Sequence, residues 1–202
     1  MMKTKLIGTR KTGLAFILSA PAGTGKTTLV DMLTKEFPDL IVKNVSYTTR
    51  QPRPGEISGL DYNFISREEF EKKIANNHFL DHVKLYDDYY GTCRDWIDQK
   101  IGEGKYVFLV IDTQGAMFLK SKMKNTFPAT YIFVLPPSLE ELKRRLEFRK
   151  TESPEMIQKR LDLAKKEVLL APNYDYNIIN DDLTTAYDAL RSIVIAEEHK
   201  VK

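Results

Sequence analysis

Three apolar runs stand out from an otherwise amphipathic chain: residues 14–18, 107–111 and 130–135. None alternates with polar residues, as expected of strands covered on both faces by helices, and this predicts a parallel sheet. Between the runs the apolar spacing turns helical. Leu29, Val30 and Leu33 predict a helix that ends near Phe37, because Pro38 cannot continue it. Residues 41–47 alternate well enough for a second strand. Residues 139–148 read as a basic helix and 154–170 as a second charged helix, with Ile157, Leu161, Ala164 and Val168 along one face. A last strand is expected at 177–179, followed by a helix over 183–196 with Ala186, Leu190 and Ile193 as its core stripe.

The stretch from Thr48 to about residue 105 has a different character. Thr49-Arg50-Gln51-Pro52-Arg53-Pro54-Gly55-Glu56 is rich in breakers and reads as a loop. A short strand at 62–65 precedes a helix over 67–76, with Ser66 at its N-cap and Glu69 three residues later. Strands at 79–86 and 89–92 flank an Asp87-Asp88 turn, and a helix follows at 96–101. The expectation is an α/β fold of three layers, α/β/α, around a parallel central sheet. A mixed α/β insert and a helical lid are added to it. The subregions are 12–45, 106–136 and 170–202 for the core, 46–105 for the insert and 137–169 for the lid. Ligands then belong beyond the carboxyl ends of the core strands.

The first apolar run feeds directly into Ala20-Pro21-Ala22-Gly23-Thr24-Gly25-Lys26-Thr27, and a helix follows. Strand, glycine-rich turn, Gly-Lys-Thr and helix is the context of a phosphate-binding loop. Gly23 and Gly25 let the backbone turn its N–H groups toward phosphate oxygens, and the helix N-terminus adds a positive dipole end. Lys26 brings a mobile charge to the outer phosphates, and the Thr27 hydroxyl can ligate Mg²⁺. The generic pattern opens with Gly where this chain has Ala20. A turn that binds nothing is the bland alternative, and the Lys-Thr pair argues against it.

At 202 residues the chain fits one domain. Its 31 Lys and Arg against 28 Asp and Glu leave a charge of +3, too balanced for a dedicated nucleic-acid binder. The single cysteine, Cys93, excludes an intrachain disulfide and suits a reducing compartment. Lys3, Lys5, Arg10 and Lys11 ahead of residues 14–18 imitate a leader, with Ala20-Pro21-Ala22 as its cleavage site. That run is too short, and cleavage would destroy the phosphate loop. No stretch approaches a membrane span, so a soluble, cytoplasmic protein is expected.

Three further groups of residues invite a chemical reading. Asp112 closes the second apolar run, as either a turn residue or a carboxylate that holds Mg²⁺ directly or through water. Ser46, Arg50, Arg53, Glu56 and Tyr62, with Tyr90 and Thr92 later, form either a fork for a second phosphate or a solvated loop whose arginines pair with Glu56. Arg145 and Arg149 share a helix face, and Arg160 lies beyond a break. They are either charge on exposed helices or a movable clamp for a transferring phosphoryl group.

Together these motifs carry a resemblance. The loop, Ser46 to Glu56, Gly59-Leu-Asp-Tyr-Asn-Phe64, Tyr89-Tyr-Gly-Thr92, Ile111-Asp-Thr-Gln-Gly115, Leu142-Lys-Arg-Arg-Leu146 and Asn180-Asp-Asp182 resemble guanylate kinase in order and spacing, from about Thr12 to Ala196. The resemblance implies transfer of a phosphoryl group from ATP, with Mg²⁺, to GMP or dGMP. It implies that residues 20–27 and Asn180 bind ATP. Ser46, Arg50, Arg53, Tyr62 and Tyr90 would bind the GMP phosphate, Glu56 would belong to the same GMP site, and Asp81 and Thr92, with Asp112 nearby, would bind guanine. Lys26, Arg50, Arg145, Arg149 and Arg160 would act in catalysis, and Thr27 and Asp112 at the metal. The substrates would be small nucleotides, with neither nucleic acid nor membrane as partner, and the enzyme a monomer or homodimer. Bacterial members often open the loop with Ala, as here. Three positions depart from the family: Asp81 stands where Glu is usual, Val110 where some relatives carry an acid, and Phe148 where Gly is common in the lid. Two rivals share the fold: a peptide-binding scaffold domain, which loses the phosphate loop, and a ribosyl-bisphosphate kinase, which has no use for Asp81 and Thr92.

Overall fold

The computed structural model describes residues 7–85, 87–122, 126–148 and 153–201. Five strands form one all-parallel sheet: β1 (Ala15–Ser19), β2 (Ile41–Lys43), β7 (Tyr106–Val110), β8 (Thr130–Leu135) and β9 (Tyr176–Ile179), in the order β2-β7-β1-β8-β9. The apolar runs are thus the inner strands. Their residues alternate between two cores even though the sequence does not alternate in polarity. Phe16 and Leu18 meet Leu29, Val30 and Leu33 of α1 (Lys26–Glu36), and Ala186, Leu190 and Val194 of α7 (Leu183–His199). Ala15 and Ile17 face the opposite layer, with Ile97 of α3 (Arg94–Gly102) and Ala116 and Leu119 of α4 (Thr113–Lys122). Burial on both faces is the physical reason for the unbroken hydrophobicity.

A second sheet of mixed direction, ordered β4-β3-β6-β5, is built from β3 (Tyr47–Thr48), β4 (Asn63–Phe64), β5 (Phe79–Leu85) and β6 (Asp88–Cys93). Helix α2 (Arg67–Ala75) covers it by inserting Phe70 between Phe79 and Tyr89, with ring centroids 4.5 and 5.3 Å away. Ser66 caps α2 by accepting the Glu69 amide at 3.1 Å. The helices α5 (Leu139–Phe148) and α6 (Pro154–Val168) pack on each other through Leu142, Leu146, Ile157, Leu161 and Ala164. Pro154 at the start of α6 and the Ser153 cap make its N-terminus explicit in the sequence.

Two expectations change. The strand expected over 41–47 is two strands in two sheets, because the chain leaves the core after Lys43 and pairs Ser46 O with Asn63 N at 2.8 Å. Residues 113–122, to which the hydrophobic pattern assigns no element, form α4. Its Gly115 is not a breaker but a close approach, since a Cβ there would lie 2.7 Å from Asp81 Oδ2. The predicted strand end at Tyr86 and the lid residue Arg149 lie outside the described residues.

Candidate active site

The loop between β1 and α1 is held from within. Thr24 donates its amide and its hydroxyl to Pro21 O, at 3.3 and 2.8 Å, and is fully buried. Gly23 and Gly25 both take φ of 92°, a left-handed conformation natural only to glycine. Gly25 is the N-cap of α1, with no side-chain cap and no acid in the first turn. Helices α2, α6 and α7, by contrast, are capped by Ser66, Ser153 and Asp182. The amides at the start of α1, together with the dipole, therefore remain for an external anion. Lys26 places Nζ 3.3 Å from Ala20 O, arching over the loop, and Thr27 is exposed beside it.

Asn180 has a role that its place in the sequence did not reveal. Its Nδ2 donates to Thr24 O at 2.7 Å, its main-chain amide donates to Leu135 O at 2.8 Å, and its carbonyl accepts Arg145 Nη1 at 2.9 Å. One buried residue, through its side chain and its main chain, thus ties the loop to the end of β8 and to α5. Arg145 is also fixed by Glu141 Oε1 at 2.7 Å. Two arginines hold the Glu141 carboxyl down at about 2, Arg144 foremost. Gly23, Thr24, Gly25, Arg144, Arg145, Phe148 and Asn180 line a cavity of about 350 Å³.

Asp112, just past β7, caps α4 by accepting the amides of Gln114 and Gly115 on Oδ1, at 2.7 and 2.9 Å. Around Asp112 stand two further carboxyls. Asp81 on β5 is 6% exposed, and its Oδ1 has no partner. Burial pushes its pKa up to about 6; the Thr92 hydroxyl opposes the shift and the Asp112 charge adds to it. Glu167 on α6 is buried too, and its Oε1 accepts Thr113 Oγ1 at 3.4 Å. Burial lifts its pKa to about 7, with Lys26 opposing and Asp112 adding. Sequence reasoning missed Glu167. The signal was an acid three residues after Ala164, on the stripe that α6 buries.

The 48–56 segment is organised by Glu56. Its carboxylate accepts Arg50 Nη2 with both oxygens at 2.9 Å and the Arg53 amide at 2.7 Å. The Arg50 guanidinium also lies over the rings of Tyr62 and Phe64, 5.5 and 5.6 Å from their centroids. Tyr62 and Tyr90 meet edge to face at 5.9 Å. Thr48 Oγ1 accepts the Arg50 amide at 3.2 Å, and Ser46 Oγ accepts Asn44 Nδ2 at 3.2 Å. Arg50, Glu56, Tyr62 and Tyr90 are thus brought together, whereas Arg53 points its side chain into an exposed stretch. Arg160 is half-buried on α6.

The site thus presents a helix start left uncapped at Gly25, an arginine paired to Glu56, and the buried carboxyl of Asp81. The guanylate kinase family model matches residues 12–197, all but the ends of the chain. This chain belongs to the guanylate kinase family. It is 57% identical over 194 residues to a guanylate kinase of Protochlamydia amoebophila, covering 96% of each chain. Against the guanylate kinase of Chlamydia caviae it is 50% identical over 185 residues, covering 92% of this chain and 89% of that one. The crystal structure of guanylate kinase from Anaplasma phagocytophilum superposes with a TM-score of 0.75 at 32% identity, over 98% of this chain and 91% of that one. The reaction that goes with membership is ATP-dependent phosphorylation of GMP. The guanylate kinase match takes in both sheets and the helix pair α5–α6. Among the described residues no helix is long and apolar enough to cross a membrane.

Proposed function

We propose that the chain transfers the γ-phosphoryl group of ATP in line to the phosphate of GMP or dGMP, between the phosphate loop and the Arg50 segment. The observation that carries this assignment is the pairing of an α1 N-terminus left uncapped at Gly25 with the guanidinium of Arg50 that Glu56 holds in place. Residues 20–27 hold the donor phosphates, and Lys26 follows the charge that moves during transfer. Arg50 and Arg53, with Ser46, Tyr62 and Tyr90, hold the acceptor phosphate. Asp81 and Thr92 face the guanine edge, and a buried carboxylate with an unpartnered oxygen suits its N–H donors. The acceptor is already an anion, so the reaction needs no general base. Catalysis is positioning and charge neutralisation, completed by Arg145, Arg149 and Arg160 when the lid, 137–169, and the insert, 46–105, close and exclude water.

The donor set fits Mg²⁺. Thr27 and the Asp112 Oδ2 are hard oxygens, and among the described residues no cluster of three or more His, Cys, Asp or Glu could cage a metal by itself. Such a sparse set suits a cation that takes most of its ligands from phosphates and water. Bound there, Mg²⁺ supplies neutralisation of the phosphate charge. A reducing cytoplasm accords with the free, buried Cys93.

The test is a coupled assay of ADP release with GMP, dGMP, AMP, UMP and ribose bisphosphate as acceptors. Turnover with GMP and dGMP well above the others is expected. A strong response to AMP with none to GMP would overturn the guanine assignment, and a preference for ribose bisphosphate would move the chain to the rival kinase class.

A further inference from the structure

Phe148 is the last residue of α5, and its ring is 82% exposed. The apolar residues that hold α5 to α6 are elsewhere: Leu142 and Leu146 are buried, and Phe148 is turned away from their stripe. A large aromatic left in water at the rim of a concave site offers a flat apolar face to whatever binds there. The rim is specific, because Phe148 shares its cavity with Gly23, Thr24 and Gly25 of the phosphate loop and with Arg144, Arg145 and Asn180. The two arginines do not wander. Glu141 takes Arg144 at 2.7 and 2.8 Å and Arg145 at 2.7 Å, and the carbonyl of Asn180 takes Arg145 at 2.9 Å.

The cavity is therefore polar and rigid at the loop and apolar at the rim. Its volume of about 350 Å³ falls in the range of small-molecule sites. A nucleotide whose phosphates lie on the loop has its base and sugar left to place, and this cavity adjoins that loop.

We propose that Phe148 is the stacking surface for the base of the donor nucleotide, which makes it an affinity-determining residue for ATP. This rests on the assignment of residues 20–27 to the donor phosphates. The lid residue at which the family often has Gly thus acts here through its ring. Stacking reads the π-face of a base and not its edge, so the ring adds affinity without choosing among purines.

The test compares two ligands on the full chain by calorimetry: ADP, and inorganic tripolyphosphate, which has the charge but no base. The variants are F148A, F148L and F148Y. The expected result is that ADP binding weakens about tenfold in F148A. F148L keeps most of that loss and F148Y restores binding, while tripolyphosphate binds all four proteins alike. KM for ATP should follow the ADP series, and KM for GMP should not. The thermal midpoint should not move, because the ring lies in water. Unchanged ADP affinity in F148A overturns the proposal while the donor assignment stands. So does an equal loss for ADP and tripolyphosphate, which would place the effect in the loop. If the wild-type chain bound neither ligand, the donor assignment and this proposal would fall together.

Discussion

In the phosphate loop the anion-facing groups are main-chain amides, set by two glycines and framed by buried Ser19, Ala20 and Thr24. The segment proposed to take the acceptor offers side chains instead, from a loop whose residues 51–55 are all exposed. There, order comes from one carboxylate, Glu56, that gathers Arg50 and the Arg53 amide. A main-chain cradle has little conformational freedom to lose when a ligand arrives. A side-chain fork needs an internal partner to be pre-organised, because each long cation otherwise gives up rotamer entropy on binding. The first kind of cradle depends on backbone geometry, above all at Gly23 and Gly25, and the second on a few side chains.

The largest effect should come from the one mobile charge on the donor side. Lys26→Met is expected to lower kcat by about a thousandfold or more, since the charge acts on the transferring group, while calorimetry shows GMP binding little changed. Turnover equal to wild type would remove the loop from the mechanism. Next is Arg50→Ala, expected to cut kcat/KM for GMP roughly a hundredfold, because it also strands the half-buried Glu56 carboxylate. Arg50→Lys should not restore it, as an ammonium has no second nitrogen to hold Gln51 O while the first pairs with Glu56, and no planar face to lay over Tyr62 and Phe64. Normal GMP kinetics in Arg50→Ala would break the comparison on its acceptor side.

Asn180→Ala sharpens the donor side. It removes the bond to Thr24 O and leaves a buried carbonyl unpaired, so KM for ATP should rise about tenfold. GMP binding should be spared. A rise in KM for GMP of the same size would mean that Asn180 acts on the whole cleft rather than on the loop.

The effect that leaves activity aside is one of stability. The folded chain raises the Asp81 pKa to about 6 from an ordinary value near 3.8, so folding favours its protonated form. The contribution of Asp81 to stability is thus undiminished below the unfolded pKa, declines as pH rises toward about 6, and is lowest above it. Asp81→Asn should therefore stabilise the chain at pH 8, by on the order of 2 kcal/mol, and hardly at all at pH 4. Thermal melts at the two pH values measure this directly. Equal shifts at both would assign the gain to packing and not to charge.

Legibility in the sequence followed the same division. The phosphate loop is local, and its glycines, Lys26 and Thr27 stand within five positions of one another, so the sequence contains the whole device. The buried strands were equally plain, with β8 found at its observed bounds, because burial on both faces leaves an uninterrupted apolar run. Residues 41–47 misled because alternation shows a pleat but not which sheet the pleat joins. Helix α4 was hidden by Gly115, whose purpose is set by Asp81, 34 positions away in the chain. Arg50 and Glu56 could be read as a pair or as a phosphate fork, and the structure shows the pair. The raised carboxyls of Asp81 and Glu167 depend on burial by remote elements, which no spacing within a helix or strand records.

The central claim is that a rigid main-chain cradle and a carboxylate-held arginine face each other across one cleft. A crystal structure of the chain with GMP bound tests it most directly. The account predicts the GMP phosphate on the Arg50 guanidinium, with Glu56 still pairing to that arginine and Gly23 and Gly25 still at positive φ. A GMP phosphate seated away from Arg50, with the Arg50–Glu56 pair facing bulk water, would contradict it.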